Sequence, residues 1–243
     1  MFSPANETQF TLTIQGLKHD LRVLKFHGQE TISTPFAITV ELVSERSSLD
    51  LERVLHQQAF LAFNRHGNGI HGQIYRIEQG ESGKRFTRYS LTLVPHLAYL
   101  RHRTNQRIFQ QRTVAQIIAC VLEEHGIQSD TYQFQLNASY PPRAYCVQYD
   151  ESDLHFIQRL CHEEGIHYHF QHGEQSHVLV FGDDQTVFPR LRRPTAYVQD
   201  SGMVADEPVI RQFKVRFEAR PSRVTRRDYD FEKSGFVIEA DHR

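Results

Sequence analysis

The stretch from Arg143 to Phe170, RAYCVQYDESDLHFIQRLCHEEGIHYHF, leaves the chain few ways to fold. Leu154, Ile157, Leu160 and Cys161 recur at helical spacing and predict one apolar helix face. Asp150 and Ser152 each stand where a side-chain oxygen can accept a free first-turn N–H. Glu151 and Asp153 add negative charge at the positive end of the helix dipole. Gly165 supplies the left-handed residue that ends such a helix. Beyond it Ile166, Tyr168 and Phe170 alternate with His167, His169 and Gln171, the period of a half-buried strand. The segment contains no nucleophile constellation, phosphate loop or complete metal set. It reads as a packing unit.

The residues before it read mainly as strands. Phe10, Leu12 and Ile14 alternate with polar residues, as do Phe36, Ile38, Val40 and Leu42, and 59–63, 69–78 and 86–94 continue the pattern. Turn signals fall at 67–69 and 80–83, and Leu49–Leu55 has room for one or two helical turns. Short strands at this spacing predict an antiparallel barrel or sandwich. A helix follows, with Thr113-x-x-Gln116 as its capping box and Val114, Ile117, Ile118, Val121 and Leu122 as its stripe, stopping at Gly126. VLEEHGI at 121–127 and LCHEEGI at 160–166 share a tail, either as a small repeat or as two independent helix stops. Pro141-Pro142 marks a break. Residues 166–170 and 177–181 predict a hairpin around Gly173, 183–208 a loop, and Phe213, Val215 and Phe217 one face of a returning strand.

Composition excludes several classes. The 28 Lys and Arg nearly balance the 29 Asp and Glu among 243 residues, so no net field steers nucleic acid or an anionic membrane. No run of about 18 apolar residues predicts a membrane-spanning helix, and the first residues have neither the basic start nor the apolar core of a secretory signal. Cys120, Cys146 and Cys161 lack C-x-x-C spacing. Cys120 and Cys161 fall on apolar helix faces and read as buried thiols.

Histidine is the main chemical lead. Fifteen are present, and Cys161, His162, His167, His169, His172 and His177 crowd together. Imidazoles suit zinc, copper or nickel, so a metal-dependent hydrolase centred on residues 162–177, with His162, His167 and His169, is the alternative function. Against it, His162-Glu163-x-x-x-His167 misses the H-E-x-x-H register and Gly165 breaks the helix. His167 and His169 fall opposite the apolar strand face, where solvent or a protein contact suffices. Glu123/Glu124 and Glu163/Glu164 could pair an acid with a base, but neighbours on a helix diverge by about 100°, and the pairs read as solvated. Gly80-Glu81-Ser82-Gly83-Lys84 reads as a hairpin turn. Arg190, Arg192, Arg193, Arg220, Arg223, Arg226 and Arg227 read as a solvated or subunit-contact face rather than a phosphate site. A glycan-binding module is a third possibility, resting on tyrosines and arginines alone. No catalytic, cofactor-binding or metal-ligating residue is assigned.

Four stretches, in order, resemble the VgrG family, the spike proteins of type VI secretion related to late control protein D and the tail hub of contractile phages. They are Gly28-x-Glu30-x-x-Ser33-x-Pro35-Phe36, Arg107-Ile108-Phe109-Gln110, the run from Tyr145 to Phe170, and Asp228-Tyr229-Asp230-Phe231. The resemblance implies an α+β, β-rich, phage tail-hub-like fold, with antiparallel β-barrel domains and an inserted helix–strand region. It divides the chain into a first barrel at 1–104, a helix–strand region with two capped helices at 105–182, and a loop with returning strands at 183–243. It further implies a non-enzymatic, cofactor-free hub whose barrels, from three chains, form a pseudo-sixfold ring. Such a ring would dock on the hexameric Hcp tube and help deliver effectors, with baseplate components as further partners and neither nucleic acid nor stable membrane insertion. The expected location is the bacterial cytoplasm without a cleaved signal, followed by export through the type VI machinery. The family's OB-like barrel and trimeric needle would follow Phe231, where only twelve residues remain.

Overall fold

The structure, a computed structural model, describes residues 10–64, 67–191, 194–199, 209–219 and 221–242. The chain forms two compact units, Met1–Arg192 and Arg193–Arg243. In the first unit β1 (Thr11–Ile14), β2 (Arg22–Thr31), β3 (Thr34–Ser44), β4 (Gln58–Ala62), β5 (Gly69–Ser82) and β6 (Thr87–Val94) form one antiparallel sheet, ordered β1-β4-β5-β6-β3-β2. The alternation seen in the sequence is kept, and Leu12, Ile14, Phe36, Ile38, Val40 and Leu42 are all buried. The sheet curls into a half-barrel. Its two outer strands meet where Phe10, just before β1, stands edge-on to Phe26 of β2 at 5.0 Å. A short helix, α1 (Leu51–Val54), is capped by Asp50 and spans the crossing from β3 to β4.

A 3-10 turn at His96–His102 buries Leu97, Ala98 and Leu100 and leads into β7 (Thr104–Phe109). Helix α2 (Val114–Glu124) has the full capping box of Thr113 and Gln116, and Gly126 follows at φ +76. β8 (Tyr132–Gln135) pairs in parallel with β11 (His177–Gly182), which pairs antiparallel with β10 (His167–His172). β9 (Cys146–Ser152) pairs with β7, and helix α3 (Asp153–Glu164) follows directly. Ser152 is the cap of α3, accepting from the N–H of His155 at 3.2 Å. Asp150, the other candidate, does not cap. It sits at φ +49 in a bulge where Tyr149 and Asp150 oppose Gln106, a conformation acidic and amide side chains tolerate better than most. Gly165 closes the helix at φ +71, and its successor Ile166 donates back to the Cys161 carbonyl at 2.8 Å.

The two helices and the β7–β9 ribbon meet on a buried carboxylate. Asp153 is fully buried, and its oxygens accept from Arg103 (2.5 Å), His125 (2.7 Å), Gln148 (2.8 Å), Arg107 (3.2 Å) and Asn105 (3.3 Å). Its own N–H donates to the Arg103 carbonyl. Burial alone raises the pKa of this acid, but the donors together outweigh it and bring it down to about 2. The acid pairs read as solvated are also paired. Glu124 bridges Arg103 and Arg107, Glu123 accepts from Tyr132, and Glu163 and Glu164 hold Arg143, with Glu163 also accepting from Arg159. Their partners lie between 4 and 21 residues away, mostly beyond the reach of local pattern. Cys161 is buried and its thiol pushed up to about 12 by desolvation, whereas Cys120 is only half-buried, its thiol facing Glu124. No described helix is long and apolar enough to cross a membrane.

In the second unit β12 (Val224–Tyr229) and β13 (Val237–His242) form a hairpin with Arg227 paired to Glu239 and Arg223 to Asp241. Asp230 closes the turn by accepting from the N–H groups of Glu232 and Lys233. The strand expected around Phe213, Val215 and Phe217 is not formed. The segment has no ladder among the described residues, and all three side chains are exposed. Alternation alone predicted it, and alternation does not supply a hydrogen-bonding neighbour. Arg192, Arg193 and Arg220, and the part of the expected loop at 200–208, lie outside the described residues.

Two outcomes check this core. Ile157→Ala, at a fully buried α3 position, lowers stability by about 2–5 kcal/mol in chemical denaturation. Asp153→Ala leaves Arg103 and Arg107 without their buried partner and costs about 3–5 kcal/mol. Because the folded pKa of Asp153 lies below the usual carboxylate value, its contribution is complete above about pH 4 and is lost as pH falls toward 2. An acid-denaturation profile unchanged in Asp153→Asn would refute that assignment.

Candidate functional site

The residues of the early G-x-E-x-x-S-x-P-F stretch close on the histidine-rich hairpin. Gly28 is required where β2 crosses β3, since a Cβ there would stand 2.3 Å from Ile38 Cδ1 and 2.6 Å from the Ala37 carbonyl. Ser33 turns the chain at φ +59 and donates its N–H to the Tyr168 carbonyl at 2.8 Å. Glu30 reaches His172 Nε2 at 3.1 Å. Phe36 is buried edge-on to Phe170, with ring centroids 5.2 Å apart.

The histidine run does not converge. His162 is exposed on α3. His167 and His169 share a strand face, as expected, but lie under Phe188 at ring-centroid distances of 5.0 and 4.8 Å. A protein contact, not solvent, covers them, and His167 Nε2 and His169 Nδ1 are buried with no hydrogen-bond partner. His172 and His177, directly paired across β10 and β11, turn to the opposite face and meet His71 of β5. There His71 Nδ1 and His177 Nδ1 are 3.0 Å apart, and His172 Nδ1 lies 3.2 Å from both the N–H and the carbonyl of His71. Burial, reinforced by the charge of His172, pushes His71 down to about 4. Burial, with His71, His172 and His96 nearby, pushes His177 down to about 3. A cavity of about 320 Å³ opens beside them, bordered by His96, Asp130, Thr131 and Ser176. Among the described residues no three His, Cys, Asp or Glu side chains are arranged to hold a metal ion. His71 was missed by sequence reading because it lies about 100 residues from its partners.

Exposed apolar side chains include those of the β7–β9 ribbon and of the second unit. On the β7–β9 ribbon Arg107, Phe109 and Gln148 point inward, while the cross-strand pair Ile108 and Val147 and the neighbouring Tyr145 and Tyr149 are exposed. In the second unit Phe213, Phe217, Tyr229 and Phe231 are exposed. Surfaces of this kind are suited to macromolecular contact.

Comparison with known proteins places the chain in a family. The family model described as the phage tail baseplate hub (GPD) matches residues 29–243. The type VI secretion system spike proteins VgrG4b and VgrG5 of Pseudomonas aeruginosa are 64% and 60% identical over all 243 residues. This chain is covered completely and spans only 30% and 31% of theirs. A solved structure of the Escherichia coli c3393 protein superposes with a TM-score of 0.72 at 26% identity, over 91% of this chain and 56% of that one. It is described as a component of the type VI secretion system with structural similarity to the T4 bacteriophage tail proteins gp27 and gp5. The chain thus belongs to the phage tail baseplate hub (GPD) family and is similar to the first third of the VgrG spike proteins of type VI secretion by length covered.

Proposed function

We propose that this chain is the structural hub of a trimeric contractile-injection spike. The observation that carries the reading is the match to VgrG4b along the whole chain, at 64% identity. In this reading residues 1–104 supply one barrel of the ring, 105–182 an outer helix–strand region, and 183–243 the loop and strands that return to the hub. Three chains make a ring that docks on the hexameric Hcp tube, with effectors and baseplate components as further partners. The protein is made in the bacterial cytoplasm and exported by the type VI machinery, without nucleic acid, stable membrane insertion, cofactor or catalytic residue. The exposed ribbon of Ile108, Tyr145, Val147 and Tyr149 supports the reading, because outer surfaces with few charges at their centre serve as subunit or partner contacts.

Light scattering tests the assembly. The 243 residues form a weak, concentration-dependent trimer, and fusion of a trimeric needle after Arg243 makes it firm by raising the local concentration of hubs. A fusion whose needle trimerises while the hubs stay apart refutes the ring. Co-sedimentation with assembled Hcp tubes tests docking separately. The metallohydrolase alternative is tested with His167→Ala/His169→Ala, which keeps its fold and loses no bound zinc. Stoichiometric zinc in the parent protein, absent from the double variant, would favour that alternative.

A further inference from the structure

We infer that His71, His172 and His177 form an acid-released latch holding the turn between β10 and β11 against the half-barrel. Three strands of the large sheet take part. β2 contributes Glu30, β3 the buried ring of Phe36, and β5 His71. Phe36 lies edge-on to His172 at 5.1 Å and to His177 at 6.0 Å, so the imidazoles are packed as rings as well as hydrogen-bonded.

The contact between His71 Nδ1 and His177 Nδ1 needs one bare nitrogen, because two N–H groups cannot face each other at 3.0 Å. The pair tolerates one proton as imidazolium donating to imidazole. A second proton turns the contact into repulsion in a partly desolvated site. His172 behaves differently. Its Nε2 faces the Glu30 carboxylate, and on protonation its Nδ1 exchanges the His71 N–H for the His71 carbonyl, both at 3.2 Å. Its contact with His71 therefore survives in either protonation state, and its charge lies beside the other two. The remaining ionisable neighbours do little to offset this. His96 stands beside His177 and has His125 as its own neighbour, and neither offers negative charge to the cluster. Asp130 borders the same cavity and Glu174 the next cleft, but neither is in contact with the imidazoles. Among the described residues Glu30 is the one carboxylate that touches the cluster, and it holds His172.

The depressed values of His71 and His177 fit this geometry and set the direction. The closed state binds fewer protons than the open one. Closure is therefore fully favoured above about pH 6.5 and is weakened progressively as pH falls toward about 3. Release is local, since β11 remains paired with β8 and the Ser33 N–H with Tyr168.

Hydrogen exchange of the 243-residue chain, corrected for the intrinsic pH dependence, tests it. Peptides spanning 171–178 lose protection at least about tenfold between about pH 7 and pH 5, while those of α2 hold theirs. His177→Phe keeps a ring against Phe36 and Phe170 but cannot be protonated, and reduces the loss at least about threefold relative to the parent, with His71 left to titrate. Loss in step with α2, or an unchanged profile in the variant, overturns the latch. Should His177→Phe fail to fold by circular dichroism, NMR titration of the parent protein decides. His71 and His177 ring signals titrating near the ordinary histidine value overturn the proposal, and titration well below it sustains it.

Discussion

A single buried carboxylate sets the terms for half of this molecule. A charge taken out of water is costly unless it is surrounded by donors, and Asp153 is surrounded from four directions: the chain entering β7, β7 itself, the end of α2, and β9. Three of the five donors are committed elsewhere as well. Arg103 and Arg107 share Glu124, and Gln148 accepts from Arg107 while donating to Asp153. Hydrophobic packing would hold α3 against α2 and the ribbon in several registers; the polar network accepts one. We regard specification of that register, more than net stability, as its contribution.

The same logic runs through the stretches that look like signatures of chemistry. Arg107 and Phe109 of the R-I-F-Q run serve Asp153 and the ring of Phe156, stacked 5.8 Å away. Glu30, Ser33 and Phe36 clasp the β10–β11 hairpin, and Glu151 is held by Arg159. These motifs lie more than 100 residues apart in places and fasten one element to another. In the proposed hub such fasteners suit a body that must transmit thrust without deforming, because they fix relative position where apolar contacts alone can slide.

Local order was legible in the sequence wherever neighbours decide it. The capping box at Thr113, the left-handed stop at Gly165 and the buried alternation of β3 all follow from short-range rules, and all are present. Asp153 was read only as negative charge at the helix start because the rule for that position is local, while its donors are 5 to 50 residues away. The histidines show the same boundary. Strand parity places His172 with Tyr168 and Phe170 on the inner face, and that signal was available; the meeting with His71 depends on how β5 crosses the hairpin. Around Phe213 the alternation was real and the partner strand absent, so period without pairing was insufficient.

What the interior uses and what the exterior leaves unused are complementary. In the helix–strand region many of the charges are spent internally, on Asp153, Arg143 and Arg159. The outer face of the ribbon is left with Ile108, Val147, Tyr145 and Tyr149 and few charges of its own. A free-standing domain gains by reversing this, with charges outward and apolar groups inward. A subunit whose outer faces are to be covered gains nothing from charged faces, since every ion placed there must be desolvated on assembly. The distribution is therefore the one expected of a component enclosed by neighbours, as in the proposed hub.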